Sequence, residues 1–151
     1  VIIIPPNQNL AQITAMSDEH SLLKGKALKA LARRDHSRQE LKQKLMRHSE
    51  NTCLIETVLD ECLQKNWQND LRFAVLYIQS RAKKYYGQKK IRYELQQRGV
   101  PNEDIDKAFT QCEVDWEAVA KEAKQRKFGK AEADSWEERG KQNQYLYQRG
   151  F

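Results

Sequence analysis

The chain has 151 residues, 39% hydrophobic and 32% charged, a balance between an ordinary globular domain and a solvated helical array. Its 27 Lys and Arg against 21 Asp and Glu leave a formal charge of +6, which favours an acidic partner: nucleic acid, or a protein that wraps nucleic acid. The length suits one compact domain or a short run of helical repeats. Only three Pro and six Gly occur, and the abundance of Lys, Glu, Gln, Leu and Ala makes all-α the expected class.

Cys53, Cys62 and Cys112 are an odd set without a Cys-x-x-Cys pair, which argues against a disulfide framework and for a reducing cytoplasm. The apolar run Val1–Ile4 stops at Pro5-Pro6 and is too short to span a bilayer. Residues 1–20 are expected to be an N-terminal extension, and no membrane-spanning segment is expected.

From residue 21 the pattern becomes a repeat. Shifted by 50 positions, Leu41 falls on Ile91, Leu45 on Leu95, Ile55 on Ile105, Leu59 on Phe109 and Cys62 on Cys112. Leu28 falls on Ile78 and Ala32 on Ala82. Matched apolar positions at helical spacing, with free variation between them, are the mark of a duplicated core. A third copy survives in pieces: Lys127-Phe128-Gly129 echoes Tyr85-Tyr86-Gly87, and Gln148-Arg149-Gly150 echoes Gln97-Arg98-Gly99.

Each repeat predicts three helices. In repeat 1 (21–66), Leu22, Leu23, Ala27, Leu28 and Leu31 form the stripe of the first helix. Ser37-Arg38-Gln39-Glu40 has the form of a capping box, so the second helix starts at Arg38 and faces inward through Leu41 and Leu45. Asn51 or Thr52 caps the third, buried through Ile55, Val58, Leu59 and Cys62. In repeat 2 (67–113), Asn69 or Asp70 caps a helix carrying Phe73, Ala74, Tyr77 and Ile78, which Gly87 breaks. Ile91 and Leu95 follow, Gly99 supplies a left-handed C′ residue, and Pro101 helps to start the helix of Ile105, Ala108 and Phe109. In repeat 3 (114–151), Trp116, Val119, Ala120 and Ala123 share a stripe. An insertion near 130–139 precedes a second helix from about Glu138 to Gln148. Repeat 3 thus lacks a last helix, and the repeat length predicts roughly fifteen further residues in the natural protein. One such unit buries too little apolar surface to stand alone. Stacked units would give an elongated, curved modular array with a long outer surface and no deep pocket.

Catalytic and metal chemistry find little support. His20, His36 and His48 lack metal-like spacing. His36 in a loop is most simply a turn residue. The repeated cysteines read as core, and Glu56, Asp60 and Glu61 as a solvated helix face. There is no Walker loop and no Gly-x-Gly-x-x-Gly. No enzyme activity and no cofactor are expected.

The joints between first and second helices are different. They are Arg33-Arg34-Asp35-His36-Ser37-Arg38, then Arg81 to Lys90 followed by Arg92, then Lys124 to Lys130. Cations at helix C-terminal turns complement the helix dipole, which accounts for two or three per joint. It does not account for Lys89, Lys90 and Arg92, which continue into the next helix. Stacked repeats would align these corners as a basic stripe. The expected contact residues are Arg33, Arg34, Lys83, Lys84, Tyr86, Lys89, Lys90, Arg92, Arg126 and Lys127. Of Tyr85 and Tyr86, one is expected to pack inward and the other to face a partner.

Arg33-Arg34-Asp35-His36-Ser37 through Glu40-Leu41 to Lys44-Leu45 resembles the first signature of the RecX regulators. Asn69-Asp70 with Arg72-Phe73-Ala74 resembles the second, and Tyr86-Gly87 with Ile91-Arg92 and Glu94-Leu95 the third. Asp115-Trp116, Lys127-Phe128-Gly129, Tyr145-Leu146 and Arg149-Gly150-Phe151 look like the family's final repeat. The likeness covers about residues 24–151. Asn66 stands where the family commonly has Gly, and Pro101 at a usual capping position, while residues 1–20 match nothing in the family. The resemblance implies tandem three-helix repeats, binding in the groove of RecA–DNA filaments, inhibition of recombinase, ATPase and co-protease activity, and no catalytic residues or cofactor. A monomer is expected. The rival readings are a regulator that binds single- or double-stranded DNA directly through its basic stripe, and a helical adaptor for another acidic protein.

Overall fold

The computed structural model describes residues 6–151, with side chains from Leu10 onward. These residues form eight helices and no strand: α1 Pro6–Arg33, α2 Arg38–Met46, α3 Thr52–Gln64, α4 Asp70–Lys83, α5 Gln88–Gln97, α6 Asn102–Cys112, α7 Trp116–Phe128 and α8 Trp136–Gln148. They divide into two compact units, one ending at Asn69 and one comprising Asp70–Phe151.

In the first unit the caps set the helix starts. The Ser37 hydroxyl accepts from the Glu40 amide at 3.2 Å, and the Asn51 side chain accepts from the Leu54 amide at 3.1 Å. Each satisfies one of the first-turn N–H groups that a helix leaves unpaired. Leu23 and Ala27 of α1 then meet Leu41 and Leu45 of α2 and Ile55, Val58, Leu59 and Cys62 of α3 in one core. Two expected members of the stripe lie outside it, with Leu22 50% and Leu28 37% exposed. At about 100° per residue, Leu23, Ala27 and Ala30 share a face from which Leu22 and Leu28 are turned well away in opposite senses. Helix α1 also extends back to Pro6, through most of the segment expected as an extension. The expectations for Val1–Pro5 lie outside the described residues.

The joint between α1 and α2 holds a buried histidine. His36 is 2% exposed, and its Nδ1 lies 2.9 Å from the Arg34 carbonyl. Because a carbonyl only accepts, Nδ1 carries the proton, which leaves Nε2 as a bare acceptor. That Nε2 is buried with no partner. Burial first of all, with the nearby Arg34 and Lys44 cations, holds the imidazole below its ordinary pKa of 6.5, against the Arg34 hydrogen bond and Glu40. His36 is therefore a neutral structural residue, and the side chain of Gln68 donates to its carbonyl at 3.4 Å.

The second unit repeats the design. Phe73, Ala74 and Ile78 of α4, Ile91 and Leu95 of α5, and Ile105 and Ala108 of α6 form its core. The shift by 50 superposes buried positions on α2/α5 and α3/α6: Leu41 with Ile91, Leu45 with Leu95, Ile55 with Ile105. It fails at Leu28, which is exposed where Ile78 is buried. Asn66 takes the left-handed conformation at φ 57°, as does Gly99 at φ 75°. Trp116 of α7 packs on Phe109 with ring centroids 5.9 Å apart, and Phe128 meets Tyr145 edge-on at 5.4 Å. Helix α8 starts two residues before the expected Glu138, because the Ser135 hydroxyl accepts from the Glu138 amide at 3.1 Å.

The end of α8 is joined to the start of α5 through backbone. The Gly87 amide donates to the Arg149 carbonyl at 2.7 Å, and the Lys89 amide to the Gly150 carbonyl at 3.0 Å. Gly87 offers α5 no side-chain cap, so the C-terminal carbonyls of one helix serve as acceptors for the N-terminal amides of another. The approach requires two glycines. A Cβ at Gly87 would stand 2.5 Å from the Gly150 carbonyl oxygen, and one at Gly150, where φ is 95°, would stand 2.5 Å from the Lys90 nitrogen.

Gly150→Ala should therefore loosen α8 from α5 at a cost of about 1–3 kcal/mol, as overpacking usually costs. Amide hydrogen exchange should rise at Gly87 and Lys89 while the α4–α6 core keeps its protection. Unchanged exchange there would refute the account. A second expectation concerns pH. The unfolded chain protonates His36 near pH 6.5, whereas the folded chain resists until its depressed pKa is reached. His36 therefore contributes stability that is complete above the unfolded value and is lost as pH falls from there through the folded pKa. Between about pH 7.5 and 5.5 the urea midpoint of the wild type should fall, and that of His36→Asn should fall less.

Candidate functional site

The α4–α5 joint is built on cations stacked against tyrosines. Tyr85 adopts φ 64°, a left-handed conformation that costs a non-glycine residue about 1 kcal/mol. Arg149 holds it there. Its Nε donates to the Tyr85 carbonyl at 2.7 Å, and its other nitrogen donates to the Lys84 carbonyl. The same guanidinium lies 4.1 Å from the Tyr86 ring centroid, while Arg81 lies 3.8 Å and Lys90 5.0 Å from it. Such contacts contribute about 0.5–2 kcal/mol each. Tyr86 is half-buried among these three cations. Tyr85 is half-buried too: its hydroxyl donates to Glu122 at 3.2 Å, and Arg126 stacks on its ring at 4.5 Å. Both tyrosines thus serve the joint.

Arg81 is anchored in turn by Glu94, at 2.7 Å, to which the Tyr77 hydroxyl also donates. Burial, and then the bond to Glu94, pushes the Tyr77 phenol up to about 12. Burial alone would raise the Glu94 carboxyl, but the bonds from Tyr77 and Arg81 outweigh it and hold the group below its usual range. Glu94 is a fixed anion at neutral pH, and Arg81 a fixed structural cation.

Of the expected contact residues, Lys83, Lys84 and Lys89 are exposed and form no ion pair among the described residues. Lys90 lies against Tyr86, and Lys127 is 6.0 Å from the Tyr145 ring. Arg126 pairs loosely with Glu122 at 3.6 Å, and Arg92 is drawn to Asp106 at 2.8 Å and over Phe109 at 5.2 Å. Because Arg126 rests on Tyr85, the α7 corner adjoins the α4–α5 corner. In the first unit Arg34 is held by Glu40 at 2.7 Å, while the neighbouring Arg33 is exposed and lines a separate groove between α1 and α2 with Lys26, Lys29, Lys44 and Arg47. Those four cations escaped the joint-based reading. Their signal was available as Lys26, Lys29 and Arg33 on one helical face, and Lys44 and Arg47 on another.

Among the described residues no group of three or more His, Cys, Asp and Glu is placed to hold a metal ion. Burial pushes the Cys62 and Cys112 thiols up, away from the low pKa of a reactive cysteine. No helix of the described residues is long and apolar enough to cross a membrane.

Family models for the first, second and third three-helix domains of RecX match residues 24–62, 69–108 and 113–151. The chain is 39% identical over 151 residues to the regulatory protein RecX of Serratia proteamaculans, covering 85% of this chain and 90% of that one. It is 37% identical to that of Cronobacter sakazakii, covering 94% and 92%. In structure it is similar to a crystallised regulatory protein RecX at TM-score 0.80 and 22% identity, over 99% of this chain and 74% of that one. RecX from Lactobacillus salivarius superposes at TM-score 0.73 with 21% identity, over 89% and 90%. Three domain matches in order, with relatives of this identity over nearly their whole length, establish that the chain belongs to the RecX family of regulatory proteins.

Proposed function

We propose that this RecX-family regulator binds the RecA recombinase and its DNA filament, and restrains recombinase, ATPase and co-protease activity without catalysing a reaction itself. The observation that carries the reading is the corner of the second unit. There Lys83, Lys84 and Lys89 stand unpaired around a joint that Arg149, Tyr86 and the Gly87–Gly150 contact make rigid. A rigid cationic corner approaches an acidic protein face or exposed phosphate without the entropy of ordering a loop. Arg126 and Lys127 enlarge that corner, and Arg33 supplies charge on the first unit. Several modest contacts on linked units add through effective concentration, so a long polymer is held without a pocket. Occupying a filament groove would exclude a second duplex and oppose the protomer movements coupled to ATP turnover. The free thiols Cys53, Cys62 and Cys112 suit a monomer working in the reducing cytoplasm.

Lys83→Glu, Lys84→Glu and Lys89→Glu together should weaken inhibition of the RecA ATPase by at least about tenfold in the concentration required, since reversed charges repel as well as fail to attract. Lys90 is left in place because it packs on Tyr86. The variant should keep its helical circular dichroism and melting temperature. Undiminished inhibition would defeat the corner model. In co-sedimentation, retention by naked DNA as strong as by RecA-coated strands would replace it with direct DNA binding.

A further inference from the structure

The groove between α1 and α2 of the first unit has a volume of about 220 Å³ and a floor of Ala30 and Leu45. Its walls are Lys26, Lys29 and Arg33 from α1, Lys44 from α2, and Arg47 and His48 from the turn that follows α2. No carboxylate lines it. Four of the unit's acids are engaged elsewhere: Glu40 holds Arg34, Glu56 holds Arg38 and Lys42, Asp60 holds Arg38, and Glu61 pairs with His20 and Lys24. Among the described residues the five permanent cations of the groove form no ion pair. An ordinary solvated surface intersperses its signs, and here the signs are segregated. Lys26 and Lys29, Lys29 and Arg33, and Lys44 and Arg47 are like charges at helical neighbour spacing, an arrangement that destabilises a helix unless an anion relieves it.

We infer that this groove is a binding site for the phosphodiester backbone of a nucleic-acid strand, separate from the α4–α5 corner. From Lys26 to Arg33 the α1 wall rises about 10 Å at 1.5 Å per residue, enough to follow a short run of consecutive phosphates along one strand. Helix α2 and the turn after it supply Lys44 and Arg47 on the opposite side, so a strand is neutralised along both edges. The apolar floor accommodates sugar. No Phe, Tyr or Trp is among the lining residues to stack a base, and no carboxylate is there to accept from one, so binding is largely independent of sequence. An acidic peptide fits less well. Between Lys26 and Lys29 the α1 wall consumes its own backbone amides and carbonyls and offers only side-chain cations, so a peptide main chain would find few partners there.

The test uses the full chain and a fluorescein-labelled single strand of oligothymidylate, followed by anisotropy from about 50 to 200 mM salt. Neutralising Lys26→Gln, Lys29→Gln and Arg33→Gln should lower the slope of log affinity against log salt by about 2, at roughly 0.7 per lost contact. Affinity at the lower salt should fall more than about tenfold. The three side chains are outside the core, so the melting temperature of the variant should hold. A control, Lys83→Gln, Lys84→Gln and Lys89→Gln, should change the slope much less. Equal losses in the two variants would mean diffuse attraction and overturn the site. Displacement of the strand by polyglutamate of equal charge concentration would overturn it in favour of an acidic polypeptide. The filament reading stands apart from this inference: the groove variant should still co-sediment with RecA-coated strands, whereas the filament reading fails if the corner variant still inhibits or if naked DNA retains the wild type as strongly as RecA-coated strands do.

Discussion

Where α8 ends and α5 begins, two stretches of main chain approach until only glycine fits between them. The Arg149 and Gly150 carbonyls accept from the Gly87 and Lys89 amides, so unpaired ends of two helices satisfy each other. Repeat 3 depends on this contact more than on a core of its own, since Ala123 and Gln142 are its only buried residues on α7 and α8. The same contact delivers the Arg149 guanidinium to the Tyr85 and Lys84 carbonyls and to the Tyr86 ring. Local backbone geometry thereby fixes the corner whose outer lysines are free.

A division of labour among cations follows. Arg81, Arg149 and Lys90 are spent on Tyr86, Arg92 on Asp106 and Phe109, and Arg34 on Glu40. Arginine dominates these inward roles because a planar guanidinium stacks and donates at once. Lysine, a flexible and strongly hydrated charge, is left on the outside. Excess charge alone did not reveal which cations belong to the scaffold and which to the surface. The same unit that carries the corner half-buries Cys112, and the first unit buries Cys62, whose thiols burial pushes up.

Periodicity carried much of the fold. The repeats, their second and third helices and their caps at Ser37 and Asn51 follow from rules acting over three or four residues, which a linear pattern records. Leu22 and Leu28 show the limit, because α1 has more apolar residues than one face can bury, and packing against α2 and α3 selects Leu23 and Ala27. The start of α8 was misplaced by two residues because the Ser135 cap lies inside a segment that matched no other repeat.

What the sequence determined by itself was the helical class, the threefold use of one module and the family, since each is encoded in spacing and residue type along the chain. The tertiary structure alone decided that Tyr86 is enclosed by three cations, that Arg34 and Arg33 have different surroundings, and that Lys26, Lys29, Lys44 and Arg47 share a groove with no acid in it. Those facts depend on residues brought together from distant points of the chain, where the partner of a charge is set by proximity in space and leaves no mark in local sequence.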